Sequence, residues 1–220
     1  ETDISIPHNH ELTQWLHPGK KELITFCIDN RYQYDTHKWD HAHSEFTQIN
    51  WNGVLGEIKL VAVDPVYVDD MQVYPDIKNK SIKVKMTVRN CTEHTASGKI
   101  SFHVTGKDYR LQKEVPVTVT DSITYIEEEM FLGKDIHLWN EFHPNLYTLD
   151  CKLTSSVEGQ SYAHEKSTTF GMREVEAGED HIILNGEPIH LRGTVENAVF
   201  PKLSLIHISE PTRHSLSRMP

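Results

Sequence analysis

The hydrophobic pattern of this chain has the period of strands, and the sequence predicts an all-β protein. Three observations carry that expectation. Ile82, Val84, Met86 and Val88 alternate with Lys83, Lys85, Thr87 and Arg89, a clean period of two. Turn-forming clusters divide this run from later ones at the spacing of an immunoglobulin-like sandwich of about 100 residues and about seven strands. Asn185-Gly186 stands between two apolar runs, a strong hairpin signal because both residues tolerate φ > 0.

Taken in order, Thr13–Leu16 predicts a short helical turn that breaks at Pro18-Gly19, followed by a strand through Leu23, Ile24, Phe26 and Ile28. Val54–Val63 predicts a further strand, continuous enough in apolar residues to be buried on both faces. The sandwich is expected over residues 71–172. After Ile82–Val88 its strands are Ile100–Val104, Val115–Val119, Ile123–Leu132, Tyr147–Leu153 and Tyr162–Phe170. Phe170–Glu174 then reads as strand-like. A charged turn at Gly178, Glu179 and Asp180 leads to the apolar run His181–Leu184, the Asn185-Gly186 turn, Pro188 and a strand-like Ile189–Arg192. Beyond Pro201 neither a strand alternation nor a helix period continues.

Length and composition narrow the function classes. The 220 residues suffice for one large or two ordinary domains, and the 37% apolar content is low for a globular chain. No run approaches the ~20 apolar residues that span a bilayer. The chain begins at Glu1 with neither a charged n-region nor an apolar h-region, so no targeting signal is visible. A net charge of −10 argues against nucleic acid, which requires clustered Lys and Arg. The one acidic run, Glu127-Glu128-Glu129, fits a solvated strand edge. Cys27, Cys91 and Cys151 are odd in number and far apart, and read as buried small hydrophobes rather than a disulfide framework or zinc site.

Three motifs follow one another near the end of the chain: Phe170-Gly171-Met172-Arg173-Glu174, Leu184-Asn185-Gly186-Glu187-Pro188-Ile189, and Leu191-Arg192-Gly193. In order and spacing they resemble the start of the catalytic domain in glycoside hydrolase family 2, the β-galactosidases, β-glucuronidases and β-mannosidases. Trp139 with Pro144-Asn145-Leu146-Tyr147 is similar to the block that ends this family's immunoglobulin-like domain. Thr47–Ile58 is similar to the block that closes its N-terminal sugar-binding domain. The resemblance covers roughly residues 1–201. It implies that residues 1–70 are the C-terminal part of a jelly-roll sugar-binding domain and residues 71–172 the sandwich. Residues 173–202 would begin a TIM barrel that the chain does not complete. The tail Leu203–Pro220, LSLIHISEPTR onward, resembles a translated sequencing adaptor and is expected to be non-native.

The resemblance also implies the chemistry. Retaining glycosidases use two carboxylates about 5–5.5 Å apart, one as acid/base and one as nucleophile. In this family both lie on later strands of a barrel of ~250 residues, so this chain is expected to hold no catalytic residue. Asn140-Glu141 mimics the family's Asn-Glu pair but falls in the sandwich. Glu196 and Asn197 align with an Arg-His pair on the first barrel strand, where Asn197 is a candidate substrate contact. A barrel strand's C-terminal end faces the active site. Gln48 and Asn50, with Trp51 and Asn52, offer amide and aromatic groups to a sugar, although Trp51 also suits a core. Asp35, His37, Asp40, His41 and His43 could hold a divalent metal, but with 15 histidines in the chain a solvated loop is favoured. Asn90-Cys91-Thr92 fits the N-glycosylation triplet.

No cofactor is expected in this chain; a divalent or monovalent metal ion in the parent enzyme is left open. The partner implied is a carbohydrate substrate of the intact parent, with no nucleic acid and no membrane span, and with a homo-oligomeric parent left open. Compartment is unassigned, a periplasmic or secreted setting following only by analogy. The expected role is the non-catalytic lead-in of a β-galactosidase-like hydrolase. The alternatives are a free-standing carbohydrate-binding or adhesion sandwich and a non-catalytic subunit beside a separate barrel. The apolar hairpin after Phe170 argues against the first, since it needs something to bury against. Residues 71–172 alone are expected to be soluble and the whole chain aggregation-prone.

Overall fold

The computed structural model describes residues 7–29, 53–54 and 56–193. The protein is all-β: among these residues there are ten strands and no helix. Seven long strands form two antiparallel sheets. They are β1 (Val66–Asp76), β2 (Ser81–Asn90), β3 (Ala96–Gly106), β4 (Tyr109–Val119), β5 (Ile123–Phe131), β6 (Tyr147–Val157) and β7 (Gln160–Phe170). One sheet is ordered β1-β2-β5 and the other β4-β3-β6-β7. Three short strands, β8 (Val175–Ala177), β9 (Ile182–Leu184) and β10 (Glu187–Ile189), make a third sheet ordered β10-β9-β8.

Alternation explains the core. Along β2 the residues Ile82, Val84, Met86 and Val88 turn inward, and β3 contributes Ile100, Phe102 and Val104, all at most 3% exposed. From β6, Leu149, Cys151 and Leu153 complete the packing between the sheets. The register of β3 against β6, with Phe102 opposite Cys151 and Val104 opposite Leu149, puts these side chains on one face. At Gly98, opposite Ser155, a Cβ would stand 1.9 Å from the Thr154 carbonyl oxygen, so the strands can approach only with glycine there.

The sandwich closes along two lateral seams. At one, Lys113 of β4 pairs with Glu128 of β5 and donates to the Glu129 carbonyl (2.8 Å). The acidic run thus lies on an edge strand as expected, but Glu128 turns inward while Glu127 and Glu129 face solvent. An inward charge on an edge strand disfavours pairing with another chain. At the other seam β1 meets β7 through side chains, beside a bulge that displaces Asp69 from the β1–β2 ladder.

Several expectations are corrected. No strand forms at Leu23–Ile28 or among the described residues of the expected strand Val54–Val63. A strand needs a ladder partner for its backbone groups, and among the described residues none pairs with either run. Leu23, Phe26, Ile58, Leu60 and Val61 are accordingly exposed. The helical turn at Leu12–Leu16 does form, with Trp15 and Leu16 N–H both donating to the Leu12 carbonyl. Cys27 and Cys91 are exposed rather than buried; of the three free thiols only Cys151 is buried. That burial pushes its thiol up to about 12. Gly171–Glu174 is not a strand, since only Met172 pairs, in an isolated parallel bridge to Leu138. Two strands, β1 and the short β8, go unforeseen in the sequence pattern.

Candidate functional site

The proposed substrate contacts Glu196, Asn197, Gln48 and Asn50 lie outside the described residues. So do Trp51, Asn52, the Asp35–His43 stretch and the tail Leu203–Pro220. Two other sequence candidates are described, and both are occupied by local structure. The Asn140 side-chain oxygen accepts from the Phe142 and His143 N–H groups (3.0 and 2.7 Å), so Asn140-Glu141 is a side-chain-capped turn with Glu141 in solvent. Asn90 is 3% exposed. Its amide nitrogen donates to the His94 and Val119 carbonyls and its oxygen accepts from Thr92, leaving no accessible amide for glycosylation. Among the described residues no group of three or more His, Cys, Asp or Glu assembles that could hold a metal, and no helix is long and apolar enough to cross a membrane.

The structure instead draws the widely separated motifs into one joint at the end of the sandwich. Tyr147 opens β6, and its hydroxyl accepts from the His137 N–H (2.8 Å), ten residues upstream. This is the tyrosine corner of immunoglobulin-like sandwiches. Its ring packs on Tyr109 and Phe170, each 5.7 Å between centroids. The same corner holds Trp139, whose N–H donates to the Met172 carbonyl (2.9 Å). Arg173 lies over the Trp139 ring, its guanidinium carbon 4.7 Å from the centroid, a cation–π contact. Gly171 permits that approach, because a Cβ there would stand 3.0 Å from the Trp139 side chain.

Asn185 locks the hairpin to this corner. With φ of 53° at Asn185 and 86° at Gly186, the two residues form the left-handed pair that a two-residue hairpin turn needs. The Asn185 side chain then works in both directions. Its amide donates to the Trp139 carbonyl (2.9 Å), and its oxygen accepts from the Glu174 N–H (2.9 Å). The Asn185 backbone N–H donates to the Glu174 carbonyl (2.9 Å). Leu184 is buried beneath it. Lys78, from the β1–β2 turn, reaches Glu174 (3.4 Å) and Glu176 (4.0 Å).

The Asn185 side chain and the Trp139, Met172 and Glu174 backbone groups pair with one another, which fixes the position of the hairpin. The sequence marks Trp139, Arg173 and Asn185 as motif members. Their convergence is invisible in it because Asn185 and Trp139 stand 46 residues apart.

The family described as "Glycosyl hydrolases family 2" matches residues 66–173, a span that contains the sandwich and reaches Arg173. The chain is similar to a β-galactosidase of Thermoanaerobacter pseudethanolicus, 23% identical over 198 residues, covering 89% of this chain and 26% of that one. It is also similar to a putative β-glucuronidase of Formosa agariphila, 26% identical over 199 residues, covering 87% and 17%. A solved glycosyl hydrolase family 2 member from Bacteroides cellulosilyticus aligns with a TM-score of 0.49 at 18% identity, covering 59% of this chain and 17% of that one. The chain thus spans about a quarter or less of the length of the curated relatives it matches.

Proposed function

We propose that this chain, whose residues 66–173 match the family described as glycosyl hydrolases family 2, is the lead-in of a retaining glycoside hydrolase acting on terminal β-linked sugars. The reading is β-galactosidase-like. In that enzyme two carboxylates would do the chemistry, one protonating the leaving oxygen and one forming the glycosyl intermediate. Both would come from later strands of the barrel that residues 173–202 begin, and the present chain would be inactive alone. Residues 1–70 would contribute a sugar-binding jelly-roll portion and 71–172 the scaffold. Glu196 and Asn197 would stand at the mouth of the first barrel strand, with Gln48 and Asn50 on the facing wall.

One observation carries this reading. Trp139, Arg173 and Asn185, drawn from three separate motifs, meet in a single joint that fixes the hairpin on the sandwich. A free-standing sugar-binding sandwich has no use for a hairpin locked at its exit. The partner that follows from the same reading is a carbohydrate.

Two measurements test it together. The purified chain is expected to leave aryl β-galactosides, β-glucuronides and β-mannosides intact, and hydrolysis by the homogeneous chain would overturn its non-catalytic role. Sequencing the source DNA across the codon for Lys202 is expected to reveal a frame continuing into a barrel with an Asn-Glu pair and a second glutamate. Failure to find that frame would leave sugar binding, assayed by retention on immobilised β-glycans, as the function in its place.

A further inference from the structure

The seam between β1 and β7 is built around a histidine. The Val68 N–H, on the outer side of the edge strand where the ladder supplies no acceptor, donates to Nδ1 of His164 (3.3 Å). The Tyr67 ring leans on the imidazole, 5.9 Å between centroids. One residue further, Lys166 donates to the Asp69 carbonyl at the bulge, and the Ala163 N–H donates to the Asp64 carboxylate (2.8 Å) ahead of β1. Because Nδ1 accepts, the ring is neutral and carries its proton on Nε2. A second proton would turn Nδ1 into a donor facing another donor.

We propose that His164 is a proton-operated latch on the β1–β7 seam: neutral, it holds the start of β1 against β7, and protonated, it releases Val68. The inference concerns the sandwich alone and goes beyond the enzymatic reading.

The groups around the ring set the direction. On β7 itself lie Lys166 and Glu165, the latter paired with Lys152 of β6. Before and on β1 stand Asp64, Tyr67 and Asp69, with Asp69 held by the Arg89 guanidinium (2.6 Å). On β6 the residue opposite His164 is the apolar Leu153, and the Cys151 thiol, kept protonated by burial, stands opposite Lys166. Burial first, and then Lys166, lower the proton affinity of the imidazole; Asp64 and Glu165 oppose them, and the balance stays below the ordinary histidine value. A folded-state value below the unfolded one means the latch stabilises fully above the ordinary histidine pKa. Its contribution is lost as pH falls through the lowered folded value.

Amide hydrogen exchange on the whole chain tests the latch. Corrected for intrinsic rates, protection of the Val68 amide is expected to fall roughly five- to ten-fold relative to Val84 between about pH 7.5 and about pH 5, the loss of one hydrogen bond. In His164→Asn the carboxamide oxygen can take the place of Nδ1 but cannot titrate, so Val68 protection should be flat across that range. A flat profile in the unsubstituted chain, or the same fall in His164→Asn, overturns the proposal. Should His164→Asn not fold, nitrogen-15 shifts of the His164 ring in the unsubstituted chain decide. An Nε2-protonated tautomer titrating below the ordinary value is expected. An Nδ1-protonated tautomer, or titration at or above the ordinary value, overturns it.

Discussion

Ile82, Val84, Met86 and Val88 are at most 3% exposed, whereas Leu23, Ile24, Phe26 and Ile28, as apolar and nearly as evenly spaced, stand 43% to 93% exposed. The difference does not lie in the side chains. The first group sits on β2, which has β1 on one side and β5 on the other, so its backbone groups are paired along the strand's length. The second group has no strand beside it among the described residues. Alternation is therefore a permission to form a strand, and pairing is what uses it. Burying one such side chain is worth about 1.5–3 kcal/mol, a gain that the sandwich collects and the leading segment does not.

The sharpest way to break this comparison is to truncate one aromatic in each region. Phe102→Ala removes a ring that is 1% exposed between the sheets and should destabilise the sandwich by about 3–5 kcal/mol. Phe26→Ala removes one that is 56% exposed and should change stability by no more than about 0.5 kcal/mol. Urea unfolding followed by circular dichroism reads both. If Phe26→Ala cost as much as Phe102→Ala, the leading segment would have a packed core of its own.

A finer cut separates packing from hydrogen bonding inside the sandwich. Tyr147→Phe keeps the ring against Tyr109 and Phe170 but strips the partner from the His137 N–H. The expected loss is about 1–2 kcal/mol in the same urea series. An unchanged midpoint would mean that the tyrosine corner holds by packing alone.

These contrasts explain how much of the molecule is legible in its sequence. The six strands β2–β7 are legible because each keeps its alternation between turn clusters. β1 is not, because VYVDDMQVYPD loses the period at Asp69, where the bulge shifts the register, and ends in Pro75-Asp76. The β9–β10 turn is legible because Asn185-Gly186 states its own dihedrals. The joint is legible only as motifs, through family resemblance, since a bond from Asn185 to Trp139 leaves no periodic trace. The His164–Val68 contact, spanning 96 residues, leaves none either. The cysteine reading fails for a related reason: composition gives burial only on average, and Cys27 and Cys91 fall in stretches outside the core.

The hairpin supplies a smaller and more local contrast. Asn185→Gly preserves the left-handed turn and deletes the bridge to Trp139 and Glu174, whereas Asn185→Ala also strains a φ of 53°. Asn185→Ala should therefore cost more than Asn185→Gly, by about 1 kcal/mol. The cost should appear as faster amide exchange in β9 with the urea midpoint of the sandwich held. If both substitutions shifted that midpoint equally, the hairpin and sandwich would unfold as one unit.

The smallest effect belongs on the open face of the β1-β2-β5 sheet, where Lys85 and Glu127 pair at 2.9 Å in solvent. Lys85 holds the Glu127 carboxyl below its usual range, by hydrogen bond first and charge second. A lowered carboxyl stabilises above its unfolded pKa and loses that contribution as pH falls through the folded value. Exposure and salt screen such a pair, so Glu127→Gln should move the urea midpoint less than Phe102→Ala or Tyr147→Phe, and not at all in about 1 M salt. Glu128→Gln makes the complementary test, because Glu128 turns inward against Lys113 at the β4–β5 seam and its side chain is only 20% exposed. Its loss should exceed that of Glu127→Gln and should survive the same salt. Equal, salt-sensitive losses would mean that the seam is as wet as the open face, and that the sandwich edges close through the apolar core alone.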